Sequence, residues 1–271
     1  MTKAMLFTIV ALSVVPCLRA QDAGNDTRLH RAESAARNEI RRYARDAKSL
    51  ALAPGGWDAA AWRRFAEGSA AVCALYLGDR TIYDTVQKNR SSFSNQFAKD
   101  ITPFGGQRAI DVSVLLVAAG ILDRDDNLRD AGRDSLESEL LAAGIITPLL
   151  KRMIGRSRPS QGEGARSFHP FDPHFASFPS GHATNAFAAA TAIAAHYDGW
   201  VVPAIAYSIA TGVAVSRIND RAHFPSDVVA GALIGRAVAK GIVWRHRLAA
   251  NRVTAIPLIT GRRVGFLFDL H

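Results

Sequence analysis

Cysteine is almost absent: Cys17 and Cys73 are the two in 271 residues. A disulfide framework is thereby excluded, since loss of an N-terminal leader containing Cys17 would leave one thiol. Cys73, in Ala-rich surroundings, is expected in the core. Long uncharged runs are also scarce. Beyond the N-terminus the most membrane-like piece is Gly199 to Ser216, eighteen residues without a formal charge. With a mean hydropathy of +0.03, this argues against a chain made mainly of membrane spans. No Asp/Glu/His set has a metal ligand's spacing, and no nucleic-acid-binding motif accompanies the basic charge. Acidic residues are the minority, 24 against 33 Lys and Arg, for a formal charge of +9. Such a chain attracts phosphate esters, lipid headgroups or lipopolysaccharide.

The first residues have a different composition. Met1-Thr2-Lys3 is a short positive start, Ala4 to Leu18 is nearly all apolar, and Ala20 precedes a polar stretch. This is the pattern of a secretory signal peptide over residues 1–20, with an uncleaved anchor as the alternative. Removing Lys3 and Arg19 takes the formal charge from +9 to +7. The expectation is export to a bacterial periplasm, soluble or peripheral to the membrane, with the inner membrane as the alternative.

Residues 21–109 read as an N-terminal helical region. Leu29 to Leu52 has the pattern of a charged amphipathic helix closed by Ala53-Pro54-Gly55-Gly56. A second helix is predicted from Asp58 to about Leu77, its continuity weakened by Gly68-Ser69. Residues 79–108 look polar and mixed, with one short helix and loops. From Ile110 the chain turns apolar and Ala-rich. Val112–Leu122, Leu136–Met153, Ala183–Tyr197, Val201–Val215 and Pro225–Trp244 all have helical length. A long loop, 157–179, interrupts them; loops of that length inside a domain are often functional. The tail, 246–271, alternates apolar and polar residues around Thr260-Gly261-Arg262 and could close as a short β-hairpin. The expected fold is all-α, a compact helical bundle with its core over 110–245.

Three clusters in the core carry chemistry. Lys151 precedes Arg158-Pro159, and Gly155 is expected to end a helix between them, leaving both cations near a helix C-terminus. Pro179-Ser180-Gly181-His182 stands directly before a helix. There Ser180 can cap, free amides can bind an anion, and His182 can give a proton to a leaving oxygen. Ser216-Arg217 is followed by His223 and Asp227, and Pro225 suits the first turn of a new helix. An Asp four residues after a His can take a proton from one ring nitrogen and leave the other nucleophilic. Each cluster alone has a bland reading as helix-end charge or capping.

Together they fill eleven specified positions in one order: KxxxxxxRP, PSGH and SRxxxxxHxxxD. The chain here resembles the PAP2 superfamily, shared by class A bacterial acid phosphatases, lipid phosphate phosphatases and vanadium haloperoxidases. The resemblance covers about residues 110 to 245. It implies a bundle of the PAP2/haloperoxidase type and a metal-independent phosphatase acting on phosphomonoesters, including lipid phosphates or pyrophosphates. Lys151, Arg158 and Arg217 would surround the phosphoryl oxygens, with Ser180 and Gly181 completing the cradle. His223 would attack phosphorus, Asp227 would orient it, and His182 would protonate the leaving group. No metal and no cofactor is implied. Vanadate would act as an inhibitor or, in the haloperoxidase alternative, as the cofactor. An integral-membrane lipid phosphate or undecaprenyl pyrophosphate phosphatase is the other alternative. Partners would be a phosphorylated small molecule or lipid headgroup and an anionic membrane surface, with no nucleic acid. His169 and His174 could line the entrance, His196 reads as a helix-end residue, and His30, His246 and His271 as surface residues.

Overall fold

The computed structural model describes residues 25–250, 254–260 and 263–269. The expected signal peptide lies outside the described residues. The fold is all-α: α1 (Asn25–Leu52), α2 (Ala59–Lys88), α3 (Ser92–Ile101), α4 (Gln107–Asp123), α5 (Asp126–Glu139), α6 (Thr147–Ile154), α7 (Gly181–Ala195), α8 (Val201–Asn219) and α9 (Pro225–Ala250). A π-helical turn, Leu140–Ile146, joins α5 to α6, and a 3₁₀ turn, Thr102–Gly105, leads into α4. Thr254–Thr260 and Arg263–Asp269 pair antiparallel, Thr260 opposite Arg263.

The central helix is α7, packed by α5, α8 and α9. Its alanines let neighbours come close: Ala188 joins Leu141, Ala142, Val238 and Ile242 in one buried cluster. Ala186 and Ala190 join Ala210 and Val213 in another. The approach of α9 is tightest at Gly235, where a Cβ would lie 2.2 Å from the Thr184 carbonyl oxygen. Only a residue without a side chain lets two helix backbones meet this way.

Several elements depart from their sequence pattern. Helix α2 is continuous through Gly68-Ser69 and runs on to Lys88, with Asp58 accepting from the Ala61 amide at its start. Its inward stripe includes Tyr76, Asp79 and Tyr83, and a buried Asp hides the amphipathic period. Cys73 falls off that stripe and is exposed, against the expectation of burial. Helix α5 begins ten residues before Leu136, capped by Asp125, because Asp134, Ser135, Glu137 and Glu139 are all buried in polar networks. Between 79 and 108 the chain is largely helical, its second short helix capped by Ser91 and Ser94 reciprocally.

Candidate active site

The three clusters converge at one end of the bundle. Lys151 lies in the last turn of α6, which Gly155 closes at φ +60 by donating its amide to the Lys151 carbonyl. A side chain there would meet the His169 carbonyl oxygen at 1.8 Å, so the turn requires glycine twice over. The loop returns to Ser180, which caps α7 and is itself buried. Its amide donates to the Asp227 carbonyl at 2.9 Å, which ties the start of α7 to α9. That amide is therefore already used, a correction to its expected place in an anion cradle. The Gly181 position faces Lys151, whose Cε would lie 4.0 Å from a Cβ built there. Gly105 and Gly106 flank His182: a Cβ on Gly105 would lie 2.9 Å from the His182 Cβ, and one on Gly106 3.7 Å from its Nε2.

Arg217, in the last turn of α8, donates through Nη1 to Thr102 Oγ1 at 2.7 Å and to Asp220 at 3.1 Å. Its Nε is buried without a partner among the described residues, a donor left for an anion. Lys151 donates through Nζ to the Ala176 carbonyl and lies 3.4 Å from that of Ser177. Burial, then the charge of Arg158, brings the Lys151 pKa down to about 8. His182 is brought down to about 4 by burial and by Arg217, Lys151 and Arg158. His223 is buried and brought down to about 4, chiefly by desolvation. With these values both imidazoles are neutral at pH 7.

Asp227 lies fully buried in the first turn of α9. Its Oδ2 accepts from Ser177 Oγ at 2.6 Å and from the Phe224 amide at 2.9 Å. His223 Nδ1 stands 3.7 Å from Oδ2 and 3.5 Å from Ser177 Oγ. The acid faces the ring, with Ser177 beside the line between them. Burial alone would raise the Asp227 pKa, but His223, Arg156 and Ser177 outweigh it and hold it below the ordinary value.

Sequence reasoning left Arg156 unassigned and residues 79–108 without a signature. Arg156 is buried and fully bonded. It donates to Asp227 Oδ1 at 2.6 Å, Asp79 Oδ2 at 2.7 Å, Ser226 Oγ at 2.8 Å and the Ala165 carbonyl. The rings of Phe224, Tyr76 and Phe168 surround it at 4.6, 5.0 and 5.8 Å. Asp79, from α2, also accepts from the Ser226 amide and hydroxyl. The readable signal was an Asp on an aromatic stripe, which marks an inward face with a cation to meet. Of the loop histidines, His169 stacks on Phe175 and bonds Glu163, while His174 bonds Asp172; neither touches the cradle residues. His196 caps α7 and reaches Asp134. His246, expected at the surface, is half-buried between Asp46 and Asp134. It also forms, with Asp46 and Glu137, the one carboxylate–imidazole cluster among the described residues that could hold a metal. The linear spacing of 46, 137 and 246 hides it.

An all-α bundle that gathers a lysine, two arginines and two neutral histidines at one end defines an anion-binding site with groups for proton and nucleophile transfer. Residues 137–250 match the PAP2 superfamily. A lipid A 1-phosphatase of Rhizobium johnstonii is 43% identical over 132 residues, 47% of each chain. A probable diacylglycerol pyrophosphate phosphatase of Schizosaccharomyces pombe is 29% identical over 139 residues, 39% of this chain and 50% of that one. The chain thus spans about half the length of the curated relatives it matches. The crystal structure of a transmembrane PAP2-type phosphatidylglycerolphosphate phosphatase from Bacillus subtilis covers 69% of this chain and 94% of its own. Its TM-score is 0.54 at 24% identity, a likeness of fold.

Proposed function

We propose that this chain is a phosphatase of lipid-borne phosphate esters, working without a metal through a phosphohistidine at the periplasmic face of a membrane. The observation that carries the reading is the set of three cations, Lys151, Arg158 and Arg217, each acting electrostatically on His182 and two of them on His223. Phosphoryl transfer asks a protein mainly for position and charge stabilisation, which fixed cations supply. His223, neutral, attacks phosphorus through one ring nitrogen while Asp227 and Ser177 face the other. The P–O bond to the leaving group breaks as His182 delivers a proton to that oxygen. A water then attacks the phosphohistidine, releasing phosphate and restoring the imidazole. Arg217 Nε, buried without a partner among the described residues, is the donor we assign to a phosphoryl oxygen, and the Gly181 amide, at the start of α7, would join it.

The lipid substrate is favoured by two features. The relatives that match include lipid phosphatases by name. Apolar side chains also face outward on the helices that reach the site: Leu115 and Leu122 on α4, and Val201, Ile205 and Val215 on α8. Among the described residues one helix, Val201–Asn219, is long and apolar enough to cross a membrane, or two if the bent pair Ser92–Gly105 with Gln107–Asp123 counts as one span.

The test is hydrolysis with EDTA present, using p-nitrophenyl phosphate, phosphatidate in mixed micelles and an isoprenyl pyrophosphate in parallel. Turnover of the micellar substrates is expected to exceed that of the soluble ester. His223→Ala is expected to lose about 10⁴-fold or more in kcat, the scale of losing a nucleophile. Trapping of ³²P on the wild-type protein in acid-labile form reads the intermediate directly. Full activity in His223→Ala, or activity abolished by EDTA while the protein stays folded, would sink the mechanism.

A further inference from the structure

Where α1, α5 and α9 meet, Asp46, Glu137 and His246 each offer a ligand atom, all within 4.8 Å of one another. His246 Nε2 lies 3.2 Å from Asp46 Oδ2 and 3.8 Å from Glu137 Oε2. Donors at 2.0–2.1 Å from a tetrahedral zinc ion stand about 3.3 Å apart, so the spacing suits a shared ion. Glu137 is 0% exposed, and neither of its carboxylate oxygens receives a hydrogen bond among the described residues. Arg42 Nη2 forms an ion pair with Oε2 at 3.1 Å, but without hydrogen-bond geometry. The Glu137 carboxyl instead faces that of Asp46, each acting on the other's proton affinity. A fully buried carboxyl aimed at a second carboxyl calls for a cation or a shared proton.

The surroundings favour the cation. Asp134 Oδ1 sits 2.6 Å from His246 Nδ1; in the tautomer whose Nδ1–H donates to Asp134, the Nε2 lone pair is directed at Asp46 and Glu137. A carboxylate behind a ligating imidazole is how proteins orient metal-binding histidines. Asp134 is itself held by His196 at 2.9 Å, and Asp46 Oδ1 by Arg245 at 2.9 Å. The Glu137 oxygens are left for an ion, which would take the place of the direct contact between Asp46 Oδ2 and His246 Nε2. Glu39 and Arg133 pair with each other at the edge of the cluster. One imidazole with two carboxylates suits zinc better than magnesium, which keeps an octahedral shell of oxygens.

We propose that Asp46, Glu137 and His246 bind one divalent transition-metal ion, zinc by their chemistry, that clamps α1 onto α5 and α9. At about 1.5 Å per residue, α9 carries His246 roughly 30 Å from its own start beside His223. The ion is structural and takes no part in phosphoryl transfer.

The experiment uses the tag-free full chain, stripped with EDTA and desalted, then titrated with zinc chloride by calorimetry and by thermal unfolding. One zinc per chain is expected, with a rise in Tm of about 5–10 °C when zinc is at 100 times its Kd. Magnesium at the same concentration gives no such rise. Glu137→Gln, nearly isosteric, and His246→Gln each weaken binding at least tenfold and remove the shift. X-ray absorption on zinc-loaded wild-type protein shows one imidazole and oxygen donors at about 2.0–2.1 Å, and needs no variant to fold. Absence of zinc binding by the wild type overturns the proposal, leaving a proton shared between Asp46 and Glu137. Undiminished binding in both variants, or a zinc shell without imidazole, overturns it as well.

Discussion

His182 and His223 are both brought down to about 4, yet the proposed reaction needs one protonated and the other not. Free enzyme with that combination is abundant only where the two titrations overlap, so kcat/KM is expected to follow a narrow bell in the acid range. A bound phosphate dianion offsets Arg217, Lys151 and Arg158 and raises the His182 pKa. The falling limb of kcat is therefore expected at higher pH than that of kcat/KM. Above about pH 8 Lys151 loses its proton, and KM is expected to climb. Initial rates on p-nitrophenyl phosphate over the full pH range check all three, and coincident limbs for kcat and kcat/KM would refute the dianion argument. The same two histidines carry a sign for stability. Their folded pKa values lie below the unfolded value of 6.5, so the unfolded chain binds more protons between 6.5 and about 4, and their contribution falls as pH drops through that window. At Arg156 the argument is one of burial. Arg156→Met would leave Asp79 and Asp227 buried without their cation, and a loss of about 3–5 kcal/mol is expected in urea unfolding. Adding Asp79→Asn should recover part of it, because the two residues act as one pair. The cradle residues were legible because their order and spacing are local to three short motifs. Arg156 and Asp79 were not, since their partnership joins positions far apart in sequence.

At the scale of elements, the apolar helices of the core were legible from their composition, and the polar ones only in part. The sequence pattern placed the end of the second helix near Leu77 because residues 79–108 read as polar and mixed, whereas the Arg156 pair buries Asp79 and the helix continues to Lys88. Helix α5 began unseen for the same reason, its acids turned inward on Ser113, His196 and Arg42. Glycines separate along this line too. A methyl on Gly235 would strike the Thr184 carbonyl at 2.2 Å and the Ala188 amide at 2.9 Å, backbone atoms that cannot swing aside. Gly235→Ala is expected to cost at least about 1–3 kcal/mol by forcing α7 and α9 apart. Gly68→Ala meets only Leu233 Cδ1, at 3.4 Å, so the gain in helix propensity of about 0.5–1 kcal/mol should prevail. Thermal unfolding of the two variants gives opposite shifts if the backbone contact governs. Equal shifts would mean that α7 and α9 are not in contact through their backbones.

For the whole molecule, the proposed function requires a basic chain of balanced composition to reach a phosphate held at a lipid surface. The formal charge of +9 draws it toward anionic lipid, but charge is screened beyond about 10 Å in ordinary salt and cannot seat a helix. Seating is a matter for the apolar side chains, which the balanced composition concealed until the fold showed which of them face outward. Val201 and Ile205 lie one turn apart on the outer stripe of α8, 50% and 56% exposed, and the last turn of the same helix carries Arg217. Withdrawing one such side chain from lipid costs about 1.5–3 kcal/mol, and each 1.4 kcal/mol is tenfold in affinity. The pair Val201→Glu and Ile205→Glu should therefore lower binding to anionic vesicles, and turnover of phosphatidate within them, by at least about tenfold. Turnover of p-nitrophenyl phosphate should be unchanged, because neither residue touches the cradle. Co-sedimentation with vesicles and the two activities, measured on one preparation, decide the matter. Equal losses on both substrates would mean that the substitutions disturbed the fold. Unchanged turnover on both would mean that lipid reaches the histidines by another face of the bundle.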